Sequence, residues 1–156
     1  MIMIPALILQ IFLFPIAASV LMNIWVDSRR TLALQDATSH LGSAIQQLYL
    51  SLNHPTIPVN TIIRNSPGLP LFIDNNYYEG KATLRPILEP ALNSSKILEV
   101  TLKLGTVGTT STTSVILGSN ALWQESTFKS NSPTACVIAQ KLQNGTIISI
   151  SLRFGE

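Results

Sequence analysis

The first 26 residues of the chain, MIMIPALILQIFLFPIAASVLMNIWV, contain no Asp, Glu, Lys, Arg or His. As an α-helix this stretch would be about 39 Å long, which exceeds the roughly 30 Å of a bilayer's hydrocarbon core. The first charged residues, Asp27, Arg29 and Arg30, follow immediately. A segment this long and apolar is not stable in water. We therefore expect it to lie in lipid or against other helices of its own kind.

Beyond Arg30, apolar residues recur at steps of three and four positions, which is the spacing of one face of an α-helix. No strong helix breaker occurs before Pro55, and the residue preceding a proline is disfavoured in helical geometry. The pattern predicts one long helix that ends near residue 53, apolar on all sides over 1–26 and amphipathic afterwards. The residues expected to dock this helix on the rest of the chain are Leu34, Leu41, Ile45, Leu48 and Leu52.

Two prolines, Pro5 and Pro15, lie inside the apolar half of the predicted helix. Each lacks the backbone N–H of the helical ladder, and its ring crowds the preceding turn. Prolines are nevertheless found in membrane helices, because neighbouring helices re-satisfy the freed backbone groups. We expect a kink at these positions, as a bend or a short unwound stretch near residues 11–16.

After Pro55 the period of the apolar residues changes to two, which is typical of half-buried β-strands. Residues 55–70 are rich in proline and are predicted to form a connection. Asn144-Gly145 is a type I′ hairpin signal between the last two strands. The predicted strands are 69–74, 81–88, 97–104, 113–118, 121–128, 135–143 and 145–154.

These patterns predict an α+β chain in which a long N-terminal helix, residues 1–54, precedes an antiparallel β-domain, residues 55–156. Short strands over roughly 100 residues fit an immunoglobulin-like β-sandwich, with a small barrel as the other solution. The total of 156 residues is the length of one domain plus the apolar segment.

Charged residues make up only 12% of the chain, about half the ~25% of an ordinary soluble domain. The net charge of +2 is small and the lysines are spread singly, so no nucleic acid partner is predicted. Cys136 is the single cysteine, which excludes an intrachain disulfide, and its context ACVIA predicts a buried thiol.

Catalytic signatures are missing from the sequence. His40 and His54 are about four helical turns apart and cannot share a ligand position. No H-E-x-x-H, G-x-S-x-G or phosphate-binding glycine loop occurs. We predict a protein that is not an enzyme and binds neither metal nor cofactor.

Two N-x-S/T sequons begin at Asn93 and Asn144, each in a predicted turn, and they are candidate N-glycosylation sites. Together with the hydroxyl-rich run TVGTTSTTSV they indicate an extracellular domain. Arg29 and Arg30 would instead place the C-terminal part in the cytoplasm by the positive-inside rule. Removal of a short basic leader ahead of residue 1 would resolve this conflict.

A long N-terminal helix, apolar in front and amphipathic behind, followed directly by a Thr/Ser-rich β-domain, resembles archaeal type IV pilins and archaellins. Bacterial type IV pilins usually have Glu at the fifth mature position, where this chain has Pro5, so the resemblance is to the archaeal branch. It implies that a prepilin peptidase removes a leader, the class III signal peptide. It also implies that the mature chain forms a surface filament and carries N-linked glycans.

The resemblance implies a homopolymer of identical subunits, held in the membrane before assembly, for adhesion or surface attachment. The apolar residues expected to pack in the filament core are Ile4, Leu7, Ile11, Phe12, Phe14, Leu21 and Trp25. The alternative is a membrane-anchored extracellular β-sandwich that binds the cell envelope, as a stator-like protein. A minor, initiating pilin is a variant of the filament hypothesis.

Overall fold

A computed structural model describes residues 3–87 and 95–155. Within that part, side chains are described for residue 8, for 10–87 and for 95–155. Within the described residues one helix precedes eight strands. The elements are α1 (Met3–Asn53), β1 (Ile62–Asn65), β2 (Tyr78–Pro86), β3 (Ser95–Leu104), β4 (Thr110–Gly118), β5 (Ala121–Trp123), β6 (Thr127–Lys129), β7 (Cys136–Asn144) and β8 (Ile147–Gly155).

The helix α1 contains 51 residues and is about 77 Å long at the α-helical rise per residue. It ends at Asn53, two positions before Pro55, as the sequence predicts. It passes through Pro15 without a break, so no unwound stretch separates its two halves over residues 11–16. The apolar and amphipathic segments therefore form one continuous helix.

The strands form two four-stranded sheets, in the orders β1-β7-β8-β5 and β4-β3-β2-β6. All neighbouring strands are antiparallel except β5 and β8, which pair in parallel. The α+β class is confirmed by this arrangement. An immunoglobulin constant domain orders its strands A-B-E-D and C-F-G, so the immunoglobulin-like part of the expectation is not confirmed.

Two of the predicted strands and the predicted connection differ in the structure. Residues 69–74 are irregular, because Asp74 and Asn75 adopt positive φ angles of 49° and 61° in a tight turn. Residues 121–128 divide into β5 and β6, which pair with different sheets. The connection 55–70 contains the unpredicted strand β1, which forms an edge beside β7.

The last two strands form the predicted hairpin, but its turn is displaced by one residue. Asn144 pairs with Ile147, so the two turn residues are Gly145 and Thr146 rather than Asn144 and Gly145. Gly145 has a φ of 62°, while Thr146 does not adopt a positive φ. A type I′ turn needs positive φ at both central residues, whereas a type II′ turn needs it only at the first. The type I′ prediction is therefore wrong.

The helix and both sheets share one hydrophobic core. Leu34, Leu41, Ile45 and Leu52 are completely buried, and Leu48 is 5% exposed. These five side chains belong to the same cluster as residues from β2, β3, β4, β7 and β8. Residues on both sides of position 54 thus contribute to a single core. Cys136 is buried at the start of β7, as its apolar context predicts.

Gly42 allows the helix to approach β4 closely. A Cβ atom at this position would lie 2.9 Å from Thr113 Cγ2 and 3.1 Å from Val115 Cγ2. Glycine lowers helix stability by about 1 kcal/mol relative to alanine. The close packing against β4 explains why the residue is accommodated in the middle of α1.

The C-terminal end of α1 is fixed by polar contacts with the β-domain. The Tyr49 hydroxyl donates to Asn120 Oδ1 at 2.6 Å, and the Asn120 amide donates to Asn53 Oδ1 at 2.9 Å. Lys141, which is 3% exposed, donates from Nζ to the carbonyl oxygens of His54 and Ile57, each at 2.9 Å. The last turn of α1 contains no basic residue. Lys141 therefore places a buried cation on carbonyl groups of the segment that follows the last helical turn.

We expect a fragment of residues 27–156 to fold and a fragment of residues 55–156 not to fold. The longer fragment keeps every helix residue of the core, whereas the shorter one lacks Leu34, Leu41, Ile45 and Leu52. Urea denaturation followed by circular dichroism should give a cooperative transition only for the longer fragment. Equal transition midpoints for the two fragments would show that the helix does not contribute to the core.

Replacing Gly42 by leucine in the 27–156 fragment should lower the free energy of unfolding by about 1–3 kcal/mol, because the side chain would overlap β4. The matched control is Ser43→Leu, which adds the same side chain at an exposed position of the same helix turn. Chemical denaturation measures both changes. Equal effects of the two substitutions would contradict a close contact at Gly42.

Candidate assembly surface

The N-terminal half of α1 extends beyond the core and exposes its apolar side chains. Among the described side chains from residue 8 to residue 25 none is buried, and Phe14 is 77% exposed. We call residues 1–26 the apolar segment. Its large apolar side chains that are described and exposed are Ile8, Ile11, Phe12, Leu13, Phe14, Ile16, Val20, Leu21, Met22, Ile24 and Trp25.

The structure places five of the predicted core-packing residues on this exposed surface: Ile11, Phe12, Phe14, Leu21 and Trp25. The side chains of Ile4, Leu7 and Pro5 lie outside the described part of the structure. The predicted docking face, Leu34 to Leu52, begins about two and a half turns after Trp25 along the same helix.

The exposed apolar surface extends around the whole helix. Phe12 and Phe14 point about 160° apart, since successive residues are rotated by 100°. Leu13 and Ile16 cover other directions and are also exposed. One flat partner surface contacts only one side of a helix. Complete burial of this segment therefore needs lipid or several neighbouring helices.

Burying an apolar side chain contributes about 1.5–3 kcal/mol relative to leaving it in water. The eleven exposed residues of the apolar segment therefore represent on the order of 15–30 kcal/mol of gross transfer free energy. This gross value exceeds the roughly 5–15 kcal/mol of net stability of a typical domain. The surroundings of the apolar segment consequently dominate the association behaviour of the molecule.

The apolar segment ends at a group of charged side chains. The Arg29 guanidinium carbon lies 4.8 Å from the centroid of the Trp25 ring, which is cation–π geometry. Arg30 forms ion pairs with Asp27 at 3.4 Å and with Asp74 at 2.5 Å. The pair with Asp74 holds the turn after residue 72 beside the helix. The polar boundary of the segment is thus also the point where the β-domain begins to contact the helix.

By length and composition, the described part of α1 from Gln10 to Asn53 contains a stretch apolar enough to cross a bilayer. That stretch is not buried inside the protein. Secretory signal sequences near an N-terminus share both properties. Length and composition alone therefore do not distinguish a membrane span from a segment that packs with other subunits.

The candidate glycosylation sites differ in what the structure describes. Asn144 and Thr146 are both exposed on the hairpin between β7 and β8. Asn93 lies outside the described residues. The side chain of Asn144 is accessible to a modifying enzyme in the isolated subunit.

The histidines and the buried tyrosine have ordinary structural surroundings. His40 lies 3.7 Å from Asp36, and His54 lies 2.7 Å from the Thr56 hydroxyl. Burial raises the pKa of Tyr78 to about 12, and its hydroxyl donates to the Pro70 carbonyl oxygen at 2.6 Å. Within residues 3–87 and 95–155 no group of three or more His, Cys, Asp or Glu could hold a metal ion.

Comparison of the chain with known protein families, with curated proteins and with solved structures finds no match.

Proposed function

We propose that this chain is the structural subunit of an extracellular helical filament of the archaeal type IV pilus kind, used for adhesion or surface attachment. The observation that carries the proposal is a single helix with two different surroundings. Its second half is buried in the core of its own subunit, while its first half exposes apolar side chains in every direction.

Assembly follows from the geometry of the helix. The apolar segment lies in the membrane before assembly and afterwards packs between the apolar segments of neighbouring copies. Each copy contacts the next through different surfaces, and such head-to-tail contacts generate a helix when they do not close into a ring. The exposed apolar side chains around the helix match this arrangement, because a filament core surrounds each helix with several others.

The β-domain forms the outer layer of the proposed filament. We assign its two sheets to a β-sandwich, with the amphipathic half of α1 included in its core. Its exposed hydroxyl groups and a glycan at Asn144 would form the hydrated surface. Processing of a basic leader ahead of residue 1 would place this domain outside the cell despite Arg29 and Arg30.

The second candidate function is a single-pass membrane protein whose extracellular β-domain binds the cell envelope. The observation in its favour is that the same helix is long and apolar enough to cross a bilayer. In this case the apolar segment remains in lipid permanently. A minor pilin would combine both properties, since it stays in the membrane until it initiates a filament.

Shearing of cells followed by electron microscopy distinguishes the two functions. We expect thin helical filaments in the sheared fraction, with this chain as their main protein by mass spectrometry. Recovery of the chain only from detergent-solubilised membranes, with no filaments, would support the anchored protein and contradict the filament.

Replacing Leu21 by aspartate should reduce filament recovery at least about tenfold, because an unpaired charge would be buried between apolar helices. The matched control is Ser39→Asp, which adds the same charge at an exposed position outside the apolar segment. Immunoblotting of the sheared and membrane fractions measures both variants. Normal filament yield with Leu21→Asp would show that the apolar segment is not the filament core.

A further inference from the structure

A basic groove lies between strands β1, β7 and β8 of one sheet and strands β2 and β6 of the other. It is an open depression of about 640 Å³. We use the name basic groove for the depression lined by the cationic side chains Arg64, Lys81, Lys129 and Arg153, with Glu79, Ser126 and Thr127 beside them. The four cations come from β1, β2, β6 and β8 and are up to 89 positions apart in the sequence.

Strand register places the two arginines on one face of their sheet. Arg64 is paired with Ile138, and Ile138 is paired with Arg153 on its other side. The Cα atoms of the two arginines are therefore about 10 Å apart, which is twice the spacing of neighbouring strands. Ile138 is 7% exposed between them. The two guanidinium groups thus flank an apolar strip.

The opposite wall of the groove is formed by the second sheet. Glu79 is paired with Lys129, and Lys81 is paired with Thr127, across β2 and β6. The intervening residue Phe128 points into the core and is 2% exposed. Lys81 and Lys129 therefore share the outer face of their sheet. The groove receives cations from both sheets.

A hydrogen bond and an aromatic contact connect the elements that form the floor of the groove. Ser126 Oγ accepts a hydrogen bond from the Phe154 N–H at 2.8 Å, which joins β8 to the segment before β6. Directly beneath, the rings of Phe128 and Phe154 meet edge to face, with centroids 5.7 Å apart. The spacing of the basic side chains is therefore set by the folded core rather than by a loop.

Basic residues outnumber acidic ones among the described residues that line the groove. Arg64, Lys81 and Arg153 stand beside a single described carboxylate, Glu79. Lys129 also lines the groove but already takes part in an interaction within the protein. This concentration of charge on a charge-poor surface attracts anions to the groove selectively.

The helix of the same subunit does not cover the groove. In the order β4-β3-β2-β6, β6 forms the edge opposite β4, and β4 is the strand against which Gly42 of the helix packs. None of the described residues that line the groove belongs to α1. The groove is therefore open to a ligand in the isolated subunit.

We propose that the basic groove binds an acidic polysaccharide through its carboxylate or sulfate groups. Recurrent anionic groups along a sugar chain fit an open groove with cations on both walls and hydroxyl groups between them.

Single-stranded nucleic acid is normally held by exposed aromatic faces as well as cations. The aromatic residue that lines this groove, Phe154, is 4% exposed and offers no stacking face. The use of this binding for attachment rests on the proposed function. The binding itself does not depend on filament formation.

The test uses the full chain as a detergent-solubilised subunit, so that it does not depend on filament formation. Binding to heparin, which is sulfated, and to polygalacturonate, which is carboxylated, is measured by biolayer interferometry at several salt concentrations. Dextran serves as the neutral polymer, and a single-stranded DNA of 20 nucleotides as the competing polyanion.

The groove variant is Lys81→Gln with Arg153→Gln, one residue from each wall. The matched control is Lys103→Gln with Arg85→Gln, which removes the same two residue types outside the groove.

We expect the unchanged chain to bind heparin or polygalacturonate with an affinity that decreases with salt, and not to bind dextran. The groove variant should bind about tenfold more weakly, because a subunit with fewer cations releases fewer counterions from the polyanion when it binds. The control should remain within about twofold of the unchanged chain. The preferred polymer identifies sulfate or carboxylate as the bound group.

Equal losses in the groove variant and the control would overturn the proposal, since binding would then reflect net charge alone. Failure to bind either polysaccharide would overturn it as well. Binding of the DNA as tightly as the polysaccharides would assign the groove to another class of partner. Circular dichroism of each variant verifies that the β-domain is folded. None of these outcomes affects filament recovery from sheared cells, which tests the proposed function separately.

Discussion

The amphipathic half of α1 and both sheets share one hydrophobic core, and this core fixes the position of the helix on the β-domain. Leu34, Leu41, Ile45 and Leu52 are completely buried in that core, so the helix cannot separate from the β-domain without exposing them. Lys141 and the Tyr49–Asn120 contact fix the same helix at its C-terminal end. The apolar segment is consequently a continuous helical extension of the folded domain.

Periodicity predicted the elements whose apolar residues repeat over many positions. The long helix, its end before Pro55 and the strands corresponding to β3, β7 and β8 were all visible in the sequence. Short elements were not, because three or four residues carry too little periodic signal. The strand β1 lies in a proline-rich connection and exists because β7 offers it an edge. The sequence predicts one strand over residues 121–128. In the structure they form β5 and the start of β6, because the two strands pair with different sheets.

The two candidate binding surfaces differ in how far the sequence reveals them. The exposed apolar segment is contiguous, and its composition alone indicates a surface that must be covered. The basic groove combines residues from four strands, and in the sequence its lysines are scattered among acidic residues. Strand register places Arg64 and Arg153 on one face of their sheet, and the packing of the two sheets brings Lys81 beside them. The same limitation applies to Lys141, whose position in an alternating strand gave no sign that it contacts the helix end.

In the proposed filament the apolar segment leaves the lipid and packs in the core of a polymer of identical subunits. A helical reconstruction of the sheared filaments by electron cryo-microscopy tests this arrangement. We expect a central bundle of helices in which Phe12, Phe14, Leu21 and Trp25 contact helices of neighbouring subunits, with the two sheets outside. Filaments whose axis is formed by the sheets, or whose apolar segments still face lipid or solvent, would contradict it.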